Sequence, residues 1–179
     1  MPNRYQNPER SFEPQSYDSY SSDRIDFNRI QPAQQHASQA PRRGLQQSFQ
    51  AQEAYKTART NIDFAVIKSG CKIITNTAAL MGEGKPEFSS NLALAYAQIG
   101  ENRVLLIDAD MRKPMVHREF NIPNVPGLSN YLLQPDDLES MLSWLPNENL
   151  YILPSGITVP TASELLSSSR FSDLLESDF

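Results

Sequence analysis

A glycine-rich turn between a short apolar segment and a helical one limits the folds open to this chain. Residues 79–86 read Ala-Leu-Met-Gly-Glu-Gly-Lys-Pro, and the pair Asp108 and Asp110 follows the next apolar run. Turns of this kind aim backbone N–H groups at phosphates, a lysine reaches the outer phosphates, and a Ser or Thr after it holds Mg²⁺. Pro86 stands where that hydroxyl is expected. The turn therefore predicts a phosphate site that lacks one standard part.

Proline at position 86 changes the predicted site in three ways. It offers no hydroxyl to Mg²⁺ and no N–H to a phosphate, and the lost charge-assisted contact is worth roughly 1.5–3 kcal/mol. It also disfavours helical geometry in Lys85, so we expect that side chain to be mis-aimed. Glu87 adds a negative charge that suits the helix dipole but opposes nucleotide binding. Because the first turn of a helix tolerates proline, we expect the fold to survive.

Composition is typical of a single-domain protein. The chain has 179 residues, 39% hydrophobic content and a formal charge of −5, and this mild acidity argues against a nucleic-acid partner. No apolar run approaches the roughly 20 residues of a membrane span, and the polar N-terminus lacks a signal-peptide core. We therefore expect a cytoplasmic protein. Cys71 is the only cysteine, so no disulfide forms within the chain, and we expect it in the core.

The chain divides by composition near residue 47. Residues 1–47 are rich in Gln, Ser, Pro, Asn and Arg and have no sustained hydrophobic periodicity, so we expect a disordered polar tail. Tyr5, Tyr17 and Tyr20 lie in this tail, where they are either phosphate acceptors or incidental. Ordered structure is expected to begin near Ser48 and to continue through residue 179.

Helical and strand patterns alternate after residue 48. Periodicity and end signals predict helices over residues 49–68, 86–99, 135–144 and 161–175, and strands over residues 72–77, 103–108 and 150–153. Such alternation indicates an α/β domain with a parallel sheet, whose ligands bind at the carboxyl ends of the strands. Both the glycine turn and the aspartates lie at such ends.

Several blocks of the sequence occur in one familiar order. They are Glu-Ala-Tyr-Lys-Thr-Ala-Arg-Thr-Asn at 53–61, Gly-Glu-Gly-Lys at 82–85 with Asn-Leu-Ala at 91–93, Val-Leu-Leu-Ile-Asp-Ala-Asp-Met-Arg-Lys-Pro at 104–114, Pro-Gly-Leu-Ser at 126–129, Pro-Ser-Gly at 154–156, Ser-Glu-Leu-Leu-Ser-Ser at 163–168 and Arg-Phe at 170–171. In this order the chain resembles the bacterial tyrosine kinases of capsule and exopolysaccharide synthesis, the BY-kinases. The resemblance implies a P-loop three-layer α/β fold with a parallel sheet.

The resemblance also implies roles for individual residues. The phosphate loop would comprise Gly82, Glu83, Gly84 and Lys85, followed by Pro86 and Glu87. Asp108 and Asp110 would bind or organise Mg²⁺, with Asp108 the better candidate for deprotonating an attacking tyrosine; alternatively the pair only ends a strand and caps a turn. Arg112 would position the carboxylates or is a plain surface residue. A subunit contact would use Glu53, Lys56 and Arg59, although Lys56 stands where the family has Arg and the face could simply be solvated.

The end of the chain departs from the family pattern. BY-kinases continue into a Walker B strand, an apolar run closing on aspartate, whereas this sequence stops at Asp178-Phe179. We therefore expect a fold truncated before the Walker B strand, with unpaired strand edges and apolar surface left open.

Three functions are consistent with these features. The first is the ATP- and Mg²⁺-binding portion of a cytoplasmic protein-tyrosine autokinase, impaired by Pro86 and truncation. As the resemblance implies, it would be recruited to the inner face of the plasma membrane by a membrane-spanning polysaccharide co-polymerase activator, and complete relatives would self-associate. The second is a non-catalytic pseudokinase that regulates active subunits. The third is a partition ATPase of the MinD/ParA group, against which the blocks at 53–61, 108–112 and 163–168 argue.

Overall fold

The structure is a computed structural model that describes Ile30 and residues 48–66, 73–80, 82–100, 103–134, 137–145 and 149–176. Apart from Ile30, the predicted disordered tail over 1–47 lies outside the described residues, as does Cys71. Within the described ranges, no helix combines the length and apolar character needed to cross a membrane.

A three-stranded sheet forms the centre of the domain. Its strands are β1 (Val104–Ile107), β2 (Ser143–Leu145) and β3 (Leu150–Leu153), in the order β1-β3-β2. β1 runs parallel to β3, and β2 runs antiparallel to it. The strands predicted over 103–108 and 150–153 are thereby confirmed. β3 is buried along its whole length, which suits a central strand covered on both faces.

The predicted parallel pairing is present between β1 and β3, but the sheet is mixed, because the region predicted as a helix over 135–144 contains an antiparallel strand. A short helix, Leu138–Met141, ends before this strand, and Ser143–Leu145 then pair with β3. Trp144 lies directly opposite Tyr151, and the two rings stack with centroids 6.1 Å apart. A large cross-strand aromatic contact of this kind stabilises strand pairing and outweighs the helical periodicity.

Seven helices are present among the described residues. They are α1 (Phe49–Ala65), α2 (Lys85–Ala97), α3 (Val116–Glu119), α4 (Leu128–Leu133), α5 (Leu138–Met141), α6 (Ala162–Leu166) and α7 (Ser169–Glu176). α1 starts where predicted, because the Ser48 side chain accepts a hydrogen bond from the Ala51 N–H. The helix predicted over 161–175 is instead two helices. Between them the hydroxyls of Ser167 and Ser168 donate to backbone carbonyls, which competes with the helical ladder.

Two apolar clusters cover the two faces of the sheet. Alternate residues of β3 divide between them: Leu150 and Ile152 pack with α2 and α3, while Tyr151 and Leu153 pack with α4 to α7. This alternation follows from the two-residue period of a strand. The helix, sheet and helix layers confirm the three-layer α/β prediction, and we refer to the cluster on the α4 to α7 side as the α4–α7 core.

The strand predicted over 72–77 is wrong for the part that the structure describes. Residues 73–78 form no strand, and the side chains of Ile73 and Ile74 are 58% and 42% exposed. No strand within the described ranges pairs with this segment. An apolar run becomes a stable strand only with hydrogen-bonded neighbours, so the pattern alone was insufficient.

Helix α1 packs on the outer side of α2 through polar as well as apolar contacts. The rings of Tyr55 and Phe88 lie 5.7 Å apart. The Arg59 guanidinium donates to the Ala95 carbonyl oxygen at 2.6 Å. The Tyr96 hydroxyl donates to the Asp63 carboxylate at 3.1 Å. Burial and the neighbouring Asp63 raise the pKa of Tyr96 from 10.0 to about 12.

Replacing Tyr96→Phe should lower the free energy of unfolding by about 1 kcal/mol at pH 8, because one partly buried hydrogen bond is lost. The folded pKa lies above the unfolded one, so this stabilisation is present below pH 10 and is lost as the pH rises toward 12. Urea unfolding at pH 8 and near pH 11 would measure both effects. Tyr131→Phe is the matched control, because Tyr131 contacts the Arg170 guanidinium through the face of its ring, which phenylalanine keeps. An equal loss for both variants, or a loss that does not change with pH, would contradict this role.

Candidate phosphate and metal site

The glycine turn has the backbone conformation that its sequence predicts. Gly82 and Gly84 have φ values of 88° and 77°, in the left-handed region that glycine adopts readily. Gly84 is the N-cap of α2, so the turn leads directly into the positive end of a helix dipole. No heavy atom would lie within 4 Å of a Cβ at either glycine, so the backbone there is open to a ligand.

Lys85 is the first residue of α2 and is helical, so the expectation that Pro86 would keep it from helical geometry is wrong. Its Nζ lies 3.5 Å from Oδ2 of Asp110, across 25 residues of sequence. The Asn76 amide donates to the Lys85 carbonyl oxygen at 3.1 Å and to the Ser89 hydroxyl at 3.0 Å. These two bonds tie the segment before the turn to the first turn of α2 and offset the local preference that proline imposes.

An open cavity of about 400 Å³ lies beside the turn. It is lined by Asn76, Thr77, Ala78, Ala79, Glu83, Lys85 and Phe88. The Glu83 carboxylate faces back into the turn, where it accepts a hydrogen bond from the Leu80 N–H at 3.1 Å. Two of the predicted phosphate-loop residues, Glu83 and Lys85, therefore line this cavity, while Glu87 is exposed in the first turn of α2.

Asp108 is buried and is held almost entirely by backbone donors. Its Oδ2 accepts from the N–H groups of Met115 and Val116, and its Oδ1 accepts from the N–H of Asp110, each at 3.1 Å. Burial raises the pKa of the Asp108 carboxyl, and these three hydrogen bonds partly oppose that rise. A carboxylate has about four lone-pair sites, so one remains, on Oδ1.

Asp110 is the more accessible carboxylate, with 40% of its side chain exposed. Its Oδ1 accepts from the Lys113 N–H at 3.0 Å, and its Oδ2 faces Lys85. Both parts of the predicted site therefore meet at this side chain. Arg112 is exposed in the turn that follows.

A magnesium ion would find few protein ligands here. The described residues contain no group of three or more His, Cys, Asp or Glu side chains that could hold a metal. Pro86 supplies no hydroxyl, and Asp108 offers a single remaining lone pair. Mg²⁺ commonly binds through one or two carboxylates plus substrate phosphates, and this donor set fits that mode with Asp110 as its main protein ligand.

The predicted subunit-contact residues on α1 do not share one environment. Lys56 pairs with Glu53 at 2.8 Å in an exposed i, i+3 contact with both side chains more than two-fifths exposed. Arg59 instead points into the domain and binds the Ala95 carbonyl oxygen. A role in contacts between subunits stays a prediction for these three residues.

Sequence reasoning missed Asn76 as a site residue. Its amide joins the apolar segment, the turn and α2, and it also lines the cavity. The sequence signal for this role was a polar side chain three residues before the glycine-rich turn at 79–86. The apolar pattern of residues 72–77 predicts only a strand and assigns no role to this polar side chain.

Comparison with known proteins identifies the family. The chain is 43% identical over 122 residues to tyrosine-protein kinase YwqD of Bacillus subtilis, a match that covers 68% of this chain and 51% of YwqD. The solved kinase domain of the Escherichia coli tyrosine kinase ETK is 36% identical with a TM-score of 0.65, covering 70% of this chain and 49% of that one. The chimerical protein CapA2B2 is 39% identical with a TM-score of 0.62, covering 68% and 53%.

These matches span only part of each relative. The chain covers about half of YwqD and about half of the ETK kinase domain. No protein-family model matches it. Identity of 36–43% extends over 68–70% of this chain in these matches. The chain therefore belongs to the bacterial tyrosine-kinase family, the BY-kinases, and shares the fold of their P-loop kinase domains.

Proposed function

We propose that this chain is the nucleotide-binding portion of a protein-tyrosine kinase for capsule or exopolysaccharide synthesis, weakened at its phosphate loop. The convergence of Lys85 and Asp110 beside an open glycine turn carries this proposal. The lysine supplies positive charge for the outer phosphates of ATP, and the aspartate supplies oxygen for Mg²⁺. In phosphoryl transfer, such positioning and charge stabilisation provide most of the catalysis.

We assign different roles to Asp108 and Asp110. Asp110, accessible and close to Lys85, is the residue suited to hold Mg²⁺, which when bound neutralises charge on the phosphates. Asp108 shapes the loop through its three backbone contacts. Its raised pKa and its single remaining lone pair suit a general base for a tyrosine hydroxyl, but only through Oδ1. We propose that Arg112, which is exposed in the turn after Asp110, contacts the same phosphates.

Pro86 weakens the site without disturbing the path of the backbone. Its ring occupies the first turn of α2, where the fold tolerates it and Lys85 stays helical. The site loses one N–H donor to phosphate and one hydroxyl ligand to Mg²⁺. Binding of nucleotide in this chain should therefore depend less on Mg²⁺ than in a P-loop that has the hydroxyl.

A regulatory pseudokinase is the second candidate, and the same observations favour it. The metal site has few ligands, and the Asp108 carboxylate already accepts three backbone hydrogen bonds, two of them from the start of α3. In that case the domain would bind nucleotide and partners without phosphoryl transfer. A partition ATPase of the MinD/ParA group has no observation in its favour.

The family suggests the setting in which this domain works. An ATP-dependent kinase of polysaccharide export acts on the cytoplasmic side of the membrane. We propose that a membrane-spanning polysaccharide co-polymerase recruits it there and that copies of the kinase associate through α1. The exposed pair of Glu53 and Lys56 supports that use of the helix face.

Lys85→Ala should weaken ATP binding by about 10- to 150-fold, because one charge-assisted contact is worth roughly 1.5–3 kcal/mol. Titration calorimetry with ATP and Mg²⁺ measures the change. Lys56→Ala is the control, since that lysine pairs with Glu53 outside the cavity and its loss should leave affinity unchanged. Equal affinities in the Lys85→Ala variant and the unmodified chain would remove the basis of the proposal.

Variants at position 86 separate its two missing groups. Pro86→Ala restores only the N–H and should strengthen ATP binding equally with Mg²⁺ or with a chelator. Pro86→Ser restores the hydroxyl as well and should add a further gain that disappears with the chelator. Calorimetry under both conditions makes the comparison. If the alanine and serine variants respond alike to Mg²⁺, the hydroxyl is not the missing ligand.

Substitution of the two aspartates should separate folding from binding. Asp108→Asn places an amide N–H against backbone N–H donors and should lower the free energy of unfolding by about 2 kcal/mol. Asp110→Asn should change stability by no more than about 0.5 kcal/mol while reducing the Mg²⁺-dependent part of ATP binding. Urea unfolding and calorimetry on both variants provide the measurements. A destabilised Asp110→Asn with unaltered Asp108→Asn would reverse these assignments.

A further inference from the structure

Ile30 is buried although it belongs to the polar N-terminal segment. Only 4% of its surface is exposed, and it packs in the α4–α7 core. Residues 1–47 contain two isoleucines, one leucine and no valine, so a buried aliphatic side chain is unusual for this part of the sequence. The nucleotide site described above makes no use of it.

The cluster that receives Ile30 is the larger of the two apolar clusters. It contains Leu128 and Leu132 of α4, Met141 of α5 and Leu174 of α7, together with Tyr151 and Leu153 from the sheet. Met111, which is 1% exposed, belongs to the same cluster and directly follows Asp110 in sequence. Ile30 therefore shares a core with the loop that carries the accessible aspartate.

Ile30 and α1 lie on opposite sides of the sheet. Ile30 packs on the α4–α7 side of the sheet, whereas α1 packs on α2, which covers the opposite side. Seventeen residues separate Ile30 from Ser48. At up to about 3.3–3.6 Å per residue they can span roughly 55–60 Å, more than the two layers of about 10 Å that must be crossed. One chain can therefore occupy both faces.

We propose that Ile30 is an intramolecular anchor, which attaches the part of the chain before Ser48 to the α4–α7 core. This position in the core is occupied by a residue of the same chain rather than by a separate partner, because Ile30 is itself a buried member of the cluster. Ile30 completes the core on the side of the sheet remote from α2. It shares that core with Met111, the residue after Asp110.

The test uses the full chain and a graded set of variants. Ile30→Ala should lower the melting temperature by roughly 5–10 °C, and Ile30→Val should lower it by only a few degrees, as expected for a buried aliphatic side chain. Leu133→Ala is the matched control, since Leu133 lies on α4 with 48% of its surface exposed and should shift the melting temperature by less than about 2 °C.

Amide hydrogen exchange locates the effect. In Ile30→Ala, exchange should rise in α4 and α7 and remain unchanged in α2, which packs on the other face. Shifts equal to that of Leu133→Ala, or exchange that rises evenly across both faces, would overturn the anchor. A difference between the unmodified chain and Ile30→Ala that vanishes on dilution would place Ile30 in a second copy and would also overturn it. No nucleotide is needed, so the outcome is independent of the proposed kinase function.

Discussion

The buried carboxylate of Asp108 is the contact on which the site depends. An ionised group with 5% exposure is stable only when it is hydrogen-bonded, and Asp108 is bonded to three backbone N–H groups. Those donors come from Asp110 and from the first residues of α3, so the carboxylate bends the chain at the end of β1 and fixes the start of the next helix. Asp110 then lies with its Oδ2 3.5 Å from Nζ of Lys85, a residue that lines the cavity.

The sheet explains why the two halves of the site meet. The Asp108 N–H donates to the Leu153 carbonyl oxygen at 3.0 Å, which continues the parallel pairing of β1 with β3 to the end of the strand. The cluster formed by α2, α3 and the sheet holds the second half of α2 against the sheet, and the first residue of that helix, Lys85, lies 3.5 Å from Asp110 beyond the end of β1. The glycine turn and the aspartates therefore occupy one edge of the fold, as the rule for ligands of parallel sheets requires.

Much of this arrangement was predictable from the sequence. Where the predictions were wrong, the reasons are physical. The glycines, the lysine and the aspartates were found from their spacing, because backbone conformation and charge at strand ends are local properties. The strand at Ser143–Leu145 was missed because its stability comes from Trp144 stacking on Tyr151. This contact joins two strands, and the hydrophobic periodicity of residues 135–144 does not reveal it. The helical state of Lys85 was mispredicted because Asn76 supplies a hydrogen bond that local rules for proline do not include. The burial of Ile30 depends wholly on tertiary packing, which composition cannot reveal.

The central claim is that the glycine turn and Asp110 bind one nucleotide phosphate group together. The most direct measurement is the change in backbone amide resonances during titration of the ¹⁵N-labelled chain with ATP and Mg²⁺. The account predicts shifts concentrated at Gly82, Gly84, Lys85 and Asp110, with little change in α6 and α7. Shifts that leave Lys85 and Asp110 unmoved at saturating nucleotide, or that cluster elsewhere, would contradict it.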